Sequence, residues 1–289
     1  MRSDQVRLNC GITMPLIGFG TYSFPNDRKT TELAVHNALK MGYRHFDTAK
    51  IYGSEAAVGN ALNEAMNEGR VERHHIFLTS KLWCSDHHDP LSALNQTLQN
   101  VGMEYLDMYL VHWPVKLKEW VNYPIPKEED FDELDLESTW RGMEKCLDMG
   151  LCRCIGVSNF SSNKILSLLD FASTPPAVNQ KLRETCGAEK IHVSAYSPLG
   201  GPGNAWGSTA VVDHPTIRAI GRKHNATSGE SFNQERMKQN IGAFDLKLDD
   251  QDLFEIDNLE ERKIMRGEFL VNQTTSPYKT IQQLWDDEI

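Results

Sequence analysis

Four polar side chains in the first half of the chain have the chemistry to move or orient a proton, namely Asp47, Tyr52, Lys81 and His112. A Lys ammonium beside a Tyr is expected to lower the pKa of the phenol, because the cation favours the phenolate. A carboxylate can hold and balance that Lys, and a His can orient a carbonyl oxygen by a hydrogen bond. Together the four suit the protonation of an alkoxide as hydride reaches a carbonyl carbon.

Each of these residues also has an ordinary explanation when taken alone. A His at the end of a strand is usually structural, and an Asp before a helix is often a cap. Tyr52 follows Asp47 by five residues and precedes a helix that Ser54 is expected to cap. The four make a site only if the fold brings their segments together.

Other chemistries find less support in the sequence. No nucleophile–base pair suggests acyl transfer, and we expect no metal site, because the histidines of "SDHHD" (85–89) read as a solvated loop. The hydride must then come from a cofactor. Tyr196 offers a flat face for a nicotinamide ring, and Ser158, Asn159 and Gln180 offer partners for its amide.

Short apolar segments alternate with helical patterns along most of the chain. The candidate strands are 16–21, 44–49, 76–83, 107–114, 152–159, 176–180 and 192–200, after a hairpin at 6–15. Such alternation predicts a parallel sheet covered by helices, either a closed barrel or an open doubly wound sheet. No GxGxxG follows the first strand, and polar residues end nearly every strand. These features favour a single (β/α)₈ TIM barrel domain over residues 1–289.

The strand rhythm fails towards the C-terminus. Only ten residues (181–190) separate the sixth and seventh candidate strands, which is near the lower limit for a helical crossover. Residues 214–225 read as a helix, and no eighth strand follows them. The sequence therefore predicts an incomplete barrel of seven strands.

Composition excludes several classes of partner. The net charge of −10 argues against nucleic acid and anionic membranes. The six cysteines form no CxxC pair and are expected to be reduced thiols. The N-terminus has no apolar signal core, and no apolar run is long enough to span a membrane. We expect a cytoplasmic monomer.

Six segments in order resemble the aldo-keto reductase superfamily: "GFGTYSF", "GYRHFDTAKIYGSE", "TSKLW", "YLVHWP", "IGVSNF" and "SAYSPLG". "YPIPKEEDF" and "PYKTIQQLWDDEI" resemble its plant branch, which includes codeinone reductase, methylecgonone reductase and deoxymugineic acid synthase. The resemblance implies NADPH-dependent reduction of an aldehyde or ketone of specialised metabolism.

Roles follow from the resemblance residue by residue. Tyr52 would be the general acid, Lys81 and Asp47 would tune it, and His112 would orient the carbonyl. Ser158, Asn159 and Gln180 would bind the nicotinamide amide, and Tyr196 would stack on its ring. The remaining cofactor residues would be Ser197, Leu199 and Gly200 at the pyrophosphate and Ser231, Asn233, Arg236 and Asn240 at the 2′-phosphate and adenine. Trp83, Trp113 and Trp120 would line an apolar substrate pocket.

The chain departs from the family pattern at two points. Gln180 directly precedes Lys181, where members of the family carry a further short run, so part of the sixth βα unit is missing. Ser228, Gly229 and Glu230 stand where members carry a helix and an eighth strand ending in a Lys. A barrel lacking one strand has two unpaired edges. The alternative function is therefore an inactive or regulatory isoform with impaired cofactor binding.

Overall fold

A computed structural model describes residues 4–23, 25–179, 184–202, 204, 207–224, 234–259, 263 and 265–288. The side chains of Glu184, Gln234 and Arg236 lie outside that description.

An antiparallel hairpin opens the chain, as the sequence predicts, and pairs β1 (Gln5–Arg7) with β2 (Thr13–Pro15). Gly11 occupies its turn at φ +85°, a backbone conformation that favours glycine. The buried side chains of Leu8 and Met14 pack with Phe77 and other residues of the strand N-termini. The hairpin therefore covers the end of the main sheet opposite the strand C-termini.

Nine further strands follow in the described residues. They are β3 (Gly18–Gly20), β4 (His45–Asp47), β5 (Phe77–Leu82), β6 (Met108–Val111), β7 (Lys116–Leu117), β8 (Phe131–Asp132), β9 (Ile155–Val157), β10 (Val178–Asn179) and β11 (His192–Val193). β7 and β8 form a separate antiparallel pair. The other seven form one parallel sheet in the order β3-β4-β5-β6-β9-β10-β11.

This sheet has the architecture of an incomplete (β/α)₈ barrel. Each strand pairs with the next parallel strand along the chain, which is the barrel order, and all seven predicted strands are confirmed. Within the described residues β3 and β11 are the two edges and do not pair with each other. Residues 225–233, where the eighth strand is expected to be missing, lie outside the described residues. Its absence stays a prediction.

Six helices alternate with the strands along the described chain, and four more follow β11. They are α1 (Arg28–Lys40), α2 (Glu55–Asn67), α3 (Pro90–Val101), α4 (Leu136–Asp148), α5 (Ser162–Leu169), α6 (Glu184–Ala188), α7 (Pro215–Lys223), α8 (Gln234–Ile241), α9 (Asp250–Asp257) and α10 (Ile281–Trp285). Side chains of Asp27, Asp89, Asp135 and Ser161 cap four of them by accepting a backbone N–H of the first turn. Neighbouring helices α1 to α4 contact one another in sequence, and α8 packs against α1.

Ser54 occupies the expected cap position, but the expected capping hydrogen bond is not formed. Ser54 precedes α2, but its side chain makes no capping hydrogen bond. Its hydroxyl instead bonds the hydroxyls of Thr21, at 2.9 Å, and Thr48, at 2.8 Å. Ser54 therefore ties together the segments that follow β3 and β4.

The expectation of six reduced thiols is also wrong, because Cys10 and Cys154 form a disulfide. The bond joins the N-terminal hairpin to the residue before β9, across a separation of 144 residues. Spacing in the sequence could not reveal this pair. The other cysteines, Cys84, Cys146, Cys152 and Cys186, are free and buried.

This disulfide is expected to stabilise the fold. Cys10→Ser should lower the free energy of unfolding by about 2–4 kcal/mol, because the cross-link restricts the unfolded chain over a long loop. Urea unfolding of both proteins under non-reducing conditions measures the difference. The same comparison after full reduction is the control. The difference in free energy of unfolding should then shrink, because the two reduced proteins differ only by a thiol against a hydroxyl at position 10. Equal midpoints in both states would contradict the assignment.

No helix in the described part of the chain is long and apolar enough to cross a membrane.

Candidate functional site

The sheet topology brings together the strand ends that carry Asp47, Lys81 and His112. β4, β5 and β6 are parallel neighbours, with Asp47 opposite Thr79 and Lys81 opposite Leu110. Asp47 is the last residue of β4, and His112 follows directly after β6. The C-terminal ends of parallel strands lie at one edge, so the side chains converge there.

Tyr52 reaches the same edge from a short 3₁₀ turn, Lys50–Tyr52, that follows β4. The Tyr52 ring lies edge-on to the His112 ring, with centroids 5.6 Å apart, and Lys81 Nζ is 4.9 Å from the Tyr52 ring centroid. Tyr52 thus lies between His112 and Lys81, two of the residues selected from the sequence.

An ion pair lies at the centre of the cluster. Lys81 Nζ is 2.5 Å from Asp47 Oδ1 and donates to the backbone oxygen of Thr48 at 3.0 Å. The Lys81 side chain is 1% exposed and that of Asp47 is 21% exposed. Burial lowers the pKa of Lys81, and the Asp47 carboxylate opposes that shift. Asp47 therefore keeps a buried cation beside Tyr52.

The structure overturns the expected direction of the Tyr52 pKa. The pKa of Tyr52 is raised well above its ordinary value, first by burial and then by the Asp47 charge. Asp47 pairs with Lys81 and so offsets the ammonium that was expected to favour the phenolate. Tyr52 consequently carries its proton throughout the neutral range, which is the state that a proton donor requires.

His112 is held as a neutral ring. Burial lowers its pKa well below the ordinary value, and the Lys81 charge acts in the same direction. Its Nδ1 atom is buried and finds no hydrogen-bond partner among the described residues. The ring packs edge-on against Trp83, with centroids 5.2 Å apart. A neutral imidazole can donate one N–H to a carbonyl oxygen.

Two proposed amide-binding residues lie beside this cluster. Asn159 adopts φ +61°. Its Nδ2 atom donates hydrogen bonds to the backbone oxygen of His112 at 2.9 Å and to Ser158 Oγ at 3.0 Å. Its Oδ1 atom is buried and has no hydrogen-bond partner in the described structure. Ser158 and Asn159 therefore stand at a fixed position next to the backbone of His112.

Tyr196 also lies near Tyr52. Burial raises the pKa of Tyr196, and the neighbouring Tyr52 hydroxyl contributes to the same shift. The Ser197–Gly200 turn follows, closed by a bond from Gly200 N to Ser197 O at 2.9 Å and including Leu199. Ser197 at φ +44° and Gly200 at φ +88° are both in the left-handed region. The residues proposed to stack on the nicotinamide ring and to flank the pyrophosphate thus lie in the segment that follows β11.

The remaining cofactor residues are only partly described. Gln180, Ser231 and Asn233 lie outside the described residues, as does the side chain of Arg236. Asn240 lies in the last turn of α8, a helix whose Met237 backbone oxygen accepts a hydrogen bond from the Tyr43 hydroxyl at 3.0 Å.

Two of the three proposed pocket tryptophans belong to one apolar cluster. Trp83 and Trp113 are buried together with Leu270, Leu284 and Trp285. Trp120 does not join them: its side chain is 69% exposed and lies under the Lys118 ammonium. Assigning Trp120 to the pocket is therefore not supported by its position.

Comparison with known proteins identifies the family. Residues 16–205 match the model of the Aldo/keto reductase family. The chain is 40% identical to 7-acetyl-epi-neemfruitin B aldo-keto reductase of Melia azedarach, covering 96% of this chain and 95% of the relative. It is also 40% identical to deoxymugineic acid synthase 1 of Zea mays, covering 98% of each.

The chain belongs to the aldo/keto reductase family. It is thus an oxidoreductase by family.

The alignment of this aldo/keto reductase with a relative contains positions at which this chain has no residue. The alignment with the Melia azedarach protein spans 308 positions, whereas 96% of 289 residues is about 277 residues of this chain. The difference, 308 minus 277, leaves about 31 aligned positions with no residue here. Internal segments of the relative are therefore missing from this chain.

Sequence reasoning missed two side chains that shape the site. The Tyr22 ring packs edge-on against Tyr52, with centroids 5.2 Å apart. Glu55, the first residue of α2, is buried and accepts hydrogen bonds from Ser80, Thr97 and Asn100. Tyr22 could have been found from its position after β3, because other site residues also follow strands.

Buried histidines give this reductase a specific pH dependence. Burial lowers the pKa of His45, lowers that of His87 to about 3, and lowers that of His112 well below 6.5. Below pH 6.5 the unfolded chain therefore binds protons that the folded chain does not. Stability should fall with falling pH in that range, each histidine contributing up to about 1.4 kcal/mol per pH unit.

Urea unfolding at a series of pH values measures this slope. His87→Asn should reduce the slope by one proton's share. A free energy of unfolding that does not change below the ordinary histidine pKa would rule out the neutral buried rings.

Proposed function

We propose that this chain reduces an aldehyde or ketone to an alcohol with NADPH, and that Tyr52 supplies the proton. The observation that carries the proposal is the convergence of Tyr52, Lys81, Asp47 and His112 at one edge of the sheet, with the Lys81–Asp47 pair 2.5 Å apart. The substrate class proposed is a small carbonyl compound of plant specialised metabolism, because the relatives are plant enzymes.

The residues beside the cluster fit a nicotinamide. The buried Oδ1 of Asn159 is an acceptor with no partner in the described structure, and a carboxamide N–H matches it. Ser158 adds a hydroxyl, and Tyr196 adds an aromatic face near Tyr52. Gln180 would complete the amide contacts. When bound, the reduced nicotinamide supplies the hydride.

The side chains of this chain supply the remaining steps. Neutral His112 donates an N–H to the carbonyl oxygen and orients it. Tyr52, protonated because its pKa is raised, gives its proton to the oxygen as negative charge develops there. Lys81 lies next to the phenol and stabilises the phenolate that remains, and Asp47 holds Lys81 in place.

The preference for NADPH over NADH is proposed from the resemblance alone. The residues expected at the 2′-phosphate are Ser231, Asn233 and Arg236, with Asn240 at the adenine. The hydrogen bond from the Tyr43 hydroxyl to the Met237 backbone oxygen ties α8, which carries Asn240, to the segment after α1.

A second candidate function is an inactive or regulatory isoform that binds cofactor poorly. The observation that favours it is the deficit of about 31 aligned positions, together with a described sheet of seven strands. An open parallel sheet leaves strand edges unpaired. It also holds fewer cofactor-binding residues in position than a closed barrel does.

Titration of the full chain with NADPH, followed by tryptophan fluorescence, separates the two candidates. The reductase proposal expects saturable quenching. Trp83→Phe should remove most of it, because Trp83 contacts His112, whereas exposed Trp120→Phe should keep it. Absence of saturable quenching by a folded protein would favour the inactive isoform.

A further inference from the structure

The C-terminal strap, residues 278–288, is anchored at its apolar side. Leu284 and Trp285 are buried in the cluster that contains Trp83 and Trp113, and the Trp285 and Trp113 ring centroids are 6.0 Å apart. Trp285 Nε1 donates to the backbone oxygen of Arg266 at 2.8 Å. The strap therefore packs against Trp113, in the same apolar cluster as Trp83, the tryptophan whose ring contacts His112.

The acidic end of the strap reaches a different element, the N-terminus of α5. Both carboxylate oxygens of Glu288 accept from the backbone N–H of Ser162, at 3.1 and 2.9 Å. Asp286 Oδ2 lies 2.7 Å from Lys164 Nζ and accepts from the Ser161 hydroxyl. Ser161 is the cap of α5, so the two carboxylates fix the cap and the first turn of that helix.

Two consecutive residues of the strap adopt left-handed backbone conformations, which set the direction of these carboxylates. Asp286 lies at φ +51° and Asp287 at φ +65°, a region that non-glycine residues seldom adopt. Asp286 and Glu288 point to α5, whereas Asp287 is exposed. Lys263 Nζ also donates to the backbone oxygen of Glu288 and lies 3.4 Å from the Trp285 ring centroid. The chain end is thus held in one geometry from both sides.

The segment that this end fixes carries the proposed amide-binding residues. Ser158 and Asn159 precede the α5 cap, Ser161, by three and two residues respectively. Asn159 is itself in the left-handed region at φ +61°, and its side chain is bonded to the backbone of His112. A shift of the cap would move Asn159 relative to the site, because only Phe160 lies between them.

We propose that Asp286 and Glu288 are positioning residues for the nicotinamide-binding segment. This inference rests on the proposed NADPH-dependent reduction. The carboxylates hold Ser161 and Ser162, the α5 cap holds the left-handed Asn159, and Asn159 presents its Oδ1 to the amide. The contacts of the two carboxylates are with Ser161, Ser162 and Lys164, so they would act on the cofactor through this segment.

The test compares Asp286→Asn and Glu288→Gln with Asp287→Asn in the full chain. All three remove one negative charge from the same strap, but Asp287 is exposed and makes no side-chain bond in the described structure. The first two should raise the Kd of NADPH about fivefold, the loss expected for removing a helix cap. The Kd of adenosine 2′,5′-bisphosphate, which lacks the nicotinamide, should stay unchanged in every variant.

Hydrogen exchange of the parent and variants provides a readout that needs no cofactor. Amides of 158–164 should exchange faster in Asp286→Asn and Glu288→Gln than in Asp287→Asn. Equal exchange, or equal NADPH affinity in a parent that binds NADPH, overturns the positioning role. Equal weakening of NADPH and the bisphosphate would show general destabilisation and also overturn it. If the parent does not bind NADPH, the proposed function fails, and the positioning role fails with it even where exchange changes.

Discussion

Replacing Tyr52 by phenylalanine is expected to lower the rate of carbonyl reduction by about 10³-fold, within the range for loss of a general acid. The phenol is the only group of the cluster that is both neutral and able to give up a proton to an alkoxide. Its raised pKa keeps that proton in place at neutral pH. The ring and its contacts with His112 and Tyr22 are retained in the variant, so the fold should be retained as well.

Single-turnover reduction of a test aldehyde by parent and Tyr52→Phe, at saturating NADPH, measures this effect. The Kd of NADPH and the Tm should match those of the parent. Tyr105→Phe, a hydroxyl deletion at a ring that stacks with Arg73 away from the cluster, is the matched control and should keep parental turnover. A Tyr52→Phe variant within about tenfold of the parent would mean that the proton comes from elsewhere.

Replacing Lys81 by methionine is expected to separate activity from stability. Methionine nearly matches the length of the buried Lys81 chain but brings no charge, so the phenolate that forms on Tyr52 loses its neighbouring cation. The rate should fall by about 10²-fold or more. The free energy of unfolding should change little, because the cost of burying the ammonium disappears with the ion pair, and Asp47 keeps contact with solvent.

Turnover and urea unfolding of Lys81→Met, Asp47→Asn and the double variant measure this separation. The two substitutions should be far from additive in rate, since both act through one ion pair. Lys116→Met, which removes the Lys116–Asp132 pair of β7 and β8, is the control and should keep parental turnover. Parental turnover in Lys81→Met would contradict the role given to the cation.

The main elements of the site could be predicted because strand ends are a strong signal. Polar Asp47, Lys81 and His112 stand at the ends of apolar segments, and parallel strands place such ends at one edge. The strands themselves are shorter than predicted, as β11 spans only His192–Val193. Tyr196 and Ser197, predicted within the last strand, therefore lie in the segment that follows it, and composition alone does not show where a strand ends.

Other features depend on tertiary contacts that no local pattern encodes. Cys10 and Cys154 are 144 residues apart, so their pairing follows from the position of the hairpin. The direction of the Tyr52 pKa depends on how deeply the ring is buried and on Asp47 neutralising Lys81. The contact of Glu288 with Ser162 joins positions 126 residues apart, which a spacing argument cannot reach.

The most direct measurement of the central claim is hydride transfer by the full chain. The chain is mixed with NADPH deuterated on the transferring face of the nicotinamide and with a test aldehyde, and the alcohol is analysed by mass spectrometry. We predict an alcohol that carries one deuteron on the former carbonyl carbon, formed by the parent and about 10³-fold more slowly by Tyr52→Phe. A folded parent that forms no deuterated alcohol with any of a panel of aldehydes and ketones would contradict the proposed reduction.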